Sequence, residues 1–382
     1  GTTTHVYVGC DDGTLLTIDA NNPALPKLVD RQSELLEPQR LVAQGDHLYV
    51  ADGSGGLVVF DLQKPDKPKL VGTMPSVQAR SLTLAWPWLY LADGPGGLVV
   101  VDIADPALPR ALSHIDCNGE STRPDDATDV AVLFQYSRTR ALDPLGERLE
   151  RTRARHLVAL ACGLDGVRLV DVTEPTNPQL LHGDAQARAF RSERGDVKGI
   201  AFNTQFDLGS EGGGIKSRER DYLFVHEEYG QDENRLTRIR AFDVSDPLRP
   251  VSAQGSGQLI ARGGARLQVV RAYNAPFLQQ FVLAVGSAGT ATLVDASKMP
   301  TGLQPLAELT GASGVRDLVV EEFAFDRLQD ERGRWEKDIS HKDCRYLTRD
   351  EILKVLRAPV PVPREAEGRY GKIETPDKEE RR

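Results

Sequence analysis

An all-β fold assembled from repeated sheets is predicted by three features of the sequence. Residues 48–72, LYVADGSGGLVVFDLQKPDKPKLVG, return almost intact as residues 89–112, LYLADGPGGLVVVDIADPALPRAL. The Asp closing the second strand of each copy stands at 61 and again at 102, a period of 41 residues. Blade-type repeats run to about 40–45 residues. Short apolar or alternating runs, punctuated by Gly and Pro, fill the rest of each copy, and this is the pattern of strands rather than helices.

Each copy reads as strand, Gly turn, strand, Pro corner, strand. Residues 48–50 are a strand. Residues 52–56, DGSGG, reverse the chain, because Gly tolerates positive φ. Residues 57–60 are apolar throughout, so this strand is expected to be buried on both faces. Asp61 opens a corner with Pro65 and Pro68. There an Asp carboxylate accepts backbone N–H groups a few residues on, and Pro fixes φ. The corner recurs at Asp19-Pro23-Pro26, Asp102-Pro106-Pro109, Asp171-Pro175-Pro178 and Asp243-Pro247-Pro250, with a degenerate form at Asp295, Pro300 and Pro305.

This pattern resembles the LVIVD-repeat family, most closely at Gly97-Leu98-Val99-Val100-Val101-Asp102-Ile103-Ala104-Asp105-Pro106. The resemblance covers roughly residues 5–322. Copies five and six depart from it, since Asn234 and Gly286 replace the Asp of the first turn. The resemblance implies a β-propeller, commonly in secreted or surface proteins of bacteria and archaea, and it implies no catalytic residues.

Residues 5–29 supply outer strands of a first blade, but no inner strand precedes them. The missing strand is expected at residues 315–321, VRDLVVE, closing the ring so that no sheet edge is left open. The prediction is a six-bladed propeller over residues 1–322, with inner strands near 40–44, 80–84, 128–132, 197–202, 265–270 and 315–320. Seven blades are the alternative if an upstream segment belongs to the protein. Residues 135–155, 203–220 and 273–280 are expected as excursions on one face. Residues 323–382 form a separate extension. In it a capping box and staple at Leu347, Thr348, Glu351 and Ile352 predict a short helix over 349–357. A Pro-rich arm and a charged tail follow. Leu347, Ile352, Val355 and Leu356 make an apolar stripe suited to docking a partner or the propeller itself.

A net charge of −9 disfavours nucleic acid. No apolar run reaches 18 residues, so no transmembrane helix is expected. No signal peptide is legible, and the chain opens on Gly1 rather than Met, which leaves a preceding targeting segment open. The four cysteines form no C-x-x-C. Cys10 and Cys162 each stand nine residues before a corner Asp, the place of Asp52 and Asp93. They should lie three blades apart, too far to pair, and be small half-buried thiols.

Arg40, Arg80, Lys198, Arg266 and Arg316 mark the starts of inner strands, with Asp129 in the fourth blade. They define a candidate ligand site at the channel mouth, where a cationic ring would attract an anion. Pairing with Asp129, Asp196 and Asp317 would instead neutralise it. His226-Glu227-Glu228 and His341-x-Asp343-Cys344 hold metal-ligand residue types without a matching second half, and read as solvated polar residues. The Asp-Gly turns lack the alternating oxygens of a calcium loop and read as turns. Trp86 and Trp88, flanking Pro87, suit packing or a docking patch. No catalytic residue, cofactor or metal site is expected.

The reading that follows is a non-catalytic scaffold for protein–protein interaction in an exported assembly, extracellular, periplasmic or on the cell surface, docking through the elaborated face and the tail. The alternative is an enzymatic or small-ligand-binding propeller using the basic channel mouth.

Overall fold

The computed structural model describes residues 4–22, 25–117, 126–136, 155–181, 195–207, 219–229, 236–244, 247, 250–253, 259–262, 266–274, 277–285, 290–295 and 303–310. Every regular element among them is a β-strand, and the strands make six antiparallel sheets in chain order. The first holds β1 (His5–Gly9), β2 (Leu15–Asp19) and β3 (Lys27–Gln32). The second holds β4 (Arg40–Gln44), β5 (His47–Ala51), β6 (Leu57–Asp61) and β7 (Lys69–Met74). The third holds β8 (Ser81–Ala85), β9 (Trp88–Ala92), β10 (Leu98–Asp102) and β11 (Arg110–Ile115). The fourth holds β12 (Asp129–Tyr136), β13 (Arg155–Ala161), β14 (Val167–Asp171) and β15 (Gln179–Leu180). The fifth holds β16 (Asp196–Asp207), β17 (Glu219–Tyr229), β18 (Leu236–Asp243) and β19 (Val251–Ser252), with β20 (Leu259–Arg262) also paired to β18. The sixth holds β21 (Arg266–Asn274), β22 (Phe277–Val285), β23 (Thr290–Asp295) and β24 (Gln304–Thr310). The closing strand predicted at 315–321, with Arg316, lies outside the described residues. So do the helix predicted at 349–357, with Leu347, Ile352, Val355 and Leu356, and the whole tail.

The apolar runs are strands because both faces of each middle strand are covered. Successive side chains point to opposite faces. On β5, Leu48 and Val50 pack with Leu15, Val58 and Phe60 between the first and second sheets. Tyr49 and Ala51 turn the other way and pack with Leu82, Leu89 and Leu91 of the third. The same alternation on β9 and β13 fills the next two interfaces. Tyr90 and Ala92 meet Val158 and Leu160, while Ala159 and Ala161 meet Leu223 and Val225. Sheets one to five therefore stack face to face in sequence order. Burying a Leu or Phe side chain contributes about 1.5–3 kcal/mol, so these layers dominate stability. Trp86 and Trp88 pack against two different layers, which favours packing over an exposed patch for both.

The Pro corner works as expected. Asp19, Asp61, Asp102 and Asp171 each accept the N–H two residues on, at 2.9, 2.7, 2.9 and 3.0 Å. It also has a second task that the sequence does not show. The carbonyl of its first Pro meets the preceding sheet. Tyr7 Oη donates to Pro65 O at 2.9 Å, and Ser113 Oγ donates to Pro175 O. At the matching point on β7 stands Gly72, where a Cβ would run into Pro106 O. In the Gly turn, Gly56 holds φ +78° with its Cα against Met74 O, leaving no room for a side chain.

Two of the predicted excursions are shorter than expected because strand pairing continues through them. Residues 203–207 and 219–220 belong to β16 and β17, with Asp207 paired to Glu219. Residues 273–274 and 277–280 belong to β21 and β22, with Asn274 paired to Phe277.

Candidate functional site

Register defines one level across the inner strands of sheets two to six: the first residue of β4, β8, β12 and β21, and Gly199, the fourth residue of β16. Arg40 pairs with Ala51, Ser81 with Ala92, Asp129 with Ala161, Gly199 with His226, and Arg266 with Val285. Three sheets thus set a polar side chain on the inner strand opposite Ala. The fifth reverses the arrangement, with Gly on the inner strand and His226 on the next.

Asp129 gathers this level together. Its carboxylate is buried and accepts Ser81 Oγ at 2.6 Å and the Ile200 N–H at 3.0 Å, and it lies 3.7 Å from Arg40 Nη1. One side chain of the fourth sheet therefore ties the second, third and fifth. His226 is fully buried beside it, and among the described residues neither ring nitrogen has a hydrogen-bond partner. Burial pulls its pKa down to about 4, and the Lys198 charge adds to this while Asp129 opposes it. The expectation that 226–228 is solvated is overturned, since His226 and Glu227 are buried and Glu228 nearly so. Glu227 is held by its own sheet, 2.7 Å from both Arg238 Nη2 and Arg240 Nε.

Of the five cations singled out in the sequence, Arg316 lies outside the described residues and the other four occupy two registers. Arg80 and Lys198 precede the level of Arg40 and Arg266 by one residue, and a one-residue shift turns a side chain to the other face. Arg80 bonds Asp126 at 2.9 Å, and Lys198, at a bulge, pairs with Asp196 at 2.6 Å. Of Arg266 the structure gives the register alone.

A second set of groups joins neighbouring sheets at the turn between the second and third strands. Asp52 accepts the N–H groups of Leu36, at 2.9 and 3.0 Å, and Glu37, at 2.8 Å. Those residues link the first sheet to the second. Burial pushes the Asp52 carboxyl up, and the two N–H groups oppose that. Asp93 repeats the contact one period on, with Val77 at 3.0 Å and Gln78 at 2.7 Å. Cys162 holds the same place in the fourth sheet. It is bonded to Cys117, just after β11, with Cα atoms 5.8 Å apart and both residues buried. Cys162 is therefore not the half-buried thiol expected from sequence, whereas Cys10 is free and partly exposed. The fifth sheet also departs from the count along the chain. Register places Glu227, not Asn234, after the residue that matches Ala51, because β17 and β18 extend past the usual hairpin.

This geometry defines an all-β repeat protein whose sheets are coupled by clamps and by a buried polar level around Asp129. Two of its repeats have a family: residues 38–75 and 78–116 match the LVIVD repeat. These spans hold the second and third sheets. No curated protein matches the chain. Among solved structures, Sqt1 of Saccharomyces cerevisiae is similar at 12% identity and TM-score 0.49, over 85% of this chain and 88% of that one. U3-55K is similar at 11% identity and TM-score 0.47, over 81% and 80%. The computationally designed Ika8 protein is similar at 11% identity and TM-score 0.45, over 84% and 89%. Among the described residues, no helix is long and apolar enough to cross a membrane.

Proposed function

We propose that the chain is a six-bladed, ring-closed β-propeller serving as a non-catalytic interaction scaffold in an exported or cell-surface assembly of bacteria or archaea. The observation that carries the exported setting is the buried Cys117–Cys162 bond, because disulfides persist in oxidising compartments. The ring is supported by the polar level, where inner-strand groups of the second, third and fifth sheets converge on Asp129 of the fourth. Closure on the first sheet is supported by β1. Val6 is 44% exposed there, whereas its counterpart Leu48 on β5, behind an inner strand, is 1% exposed. Residues 315–321 would supply the missing cover. A ligand site at Arg40, Arg80, Lys198, Arg266 and Arg316 ranks second, because the first three each face a carboxylate.

The partner is taken to dock through the tail stripe of Leu347, Ile352, Val355 and Leu356. The test is Ile352→Asp with Leu356→Asp, examined by co-purification of the native assembly and by melting of the isolated chain. Loss of assembly at an unchanged Tm supports partner docking. A Tm lowered with assembly intact means the tail packs on its own propeller. No change in either removes the tail from the reading.

A further inference from the structure

The junctions between the first four sheets are closed at one register position by two different chemistries. Asp52 and Asp93 each hold two backbone N–H groups of the linker that enters their own sheet. Cys162 meets the linker into the fourth sheet through the Cys117 sulfur. Cys117 corresponds to Ser76, the residue just before the N–H groups that Asp93 holds. The covalent bond and the carboxylate therefore grip the linker at the same point.

We propose that the Cys117–Cys162 bond is a redox-dependent clamp acting at a single junction, in a stack whose neighbouring clamps are indifferent to redox state. A dithiol, oxidised to its own disulfide, or a phosphine, oxidised with water to its phosphine oxide, supplies two electrons; the S–S bond breaks and each sulfur takes up a proton. The thiols left behind are weak hydrogen-bonding groups. They cannot replace a carboxylate that accepts two N–H groups, so reduction leaves this junction open while Asp52 and Asp93 keep theirs closed. The linker held by Cys117 runs on to Asp126, which bonds Arg80, and to Ala127, which bridges Gly94. It then enters β12 at Asp129, the residue that ties four sheets. The clamp thus lies upstream, in the chain, of the residue that ties the sheets at Asp129. The inference concerns what the bond does in any compartment, so it stands or falls separately from the exported setting.

The test uses the full chain refolded with and without a phosphine, with thiol content read by alkylation and mass. Reduction is expected to lower Tm by roughly 5–10 °C. Hydrogen exchange should accelerate near Cys117 and Ala127, while the amides of Leu36, Glu37, Val77 and Gln78 stay protected. Cys117→Ser with Cys162→Ser should melt at the reduced level whatever the reductant. Cys117→Ser with Cys162→Asp should recover at least half of the loss and also ignore reductant. Three outcomes overturn the proposal. One is an unchanged Tm and exchange pattern with both thiols alkylated. Another is protection lost equally at all three junctions. The last is an Asp variant no better than the Ser variant, including failure of both to fold.

Discussion

His226 is the residue at which the repeats differ most in chemistry. The matching positions hold Ala51, Ala92 and Ala161, and the inner strand offsets the added bulk with Gly199. A buried imidazole with no partner stays neutral, and its pKa of about 4 lies below the unfolded value near 6.5. Between these two values the unfolded chain binds more protons than the folded one. Stability should therefore fall as pH drops from about 6.5 toward 4, by up to about 3 kcal/mol from this group. His226→Ala should flatten that slope, measured by urea unfolding at pH 4.5 and 7. Equal slopes in the variant and the parent would remove His226 as the cause. The sequence showed a polar triplet here, but its burial was not legible, because the covering strands are distant in the chain.

At the scale of the element, the parts read from sequence were those whose partners are local. The Pro corner is written in one short stretch, since the Asp and the N–H it bonds are two residues apart. The Gly turns are local in the same way. The clamps were missed because Asp93 reaches Val77, in the linker leaving another sheet. Counting along the chain also misled where pairing overran the usual hairpin, as in β17 and β18. The paired cysteines escaped for a related reason. Comparing equivalent positions set Cys10 beside Cys162 only to keep them apart, and gave no partner for Cys162, because the bond joins a turn to a linker. Asp93→Ala should cost about 1–3 kcal/mol, because two N–H groups lose a buried acceptor. Denaturant midpoints at an unchanged m-value would read this out. Asp93→Asn, which keeps one acceptor oxygen, should cost less.

For the whole molecule, the all-β class and the order of sheets were legible because one motif recurs with its punctuation intact. The proposed ring closure requires residues 315–321 to cover β1. A chain ending at Gly314 should then lose cooperative melting or drop steeply in Tm, since it would leave a sheet edge and apolar side chains open. A cooperative transition at the parental Tm would refute closure by that strand.

The position of Asp129 also bears on the order in which the protein forms. Its partners Arg40, Ser81 and Ile200 are spread over the first two hundred residues. Contacts of such sequence separation form late, and they slow folding. A nascent chain with only the first four sheets stacked would carry this carboxylate without the Ile200 N–H, dehydrated and incompletely bonded, which is costly. Partial stacks are thereby penalised at their centre, and the penalty lifts only when the fifth sheet arrives with the Ile200 N–H. Asp129 is thus expected to favour a stack that has reached the fifth sheet over any shorter one that contains it.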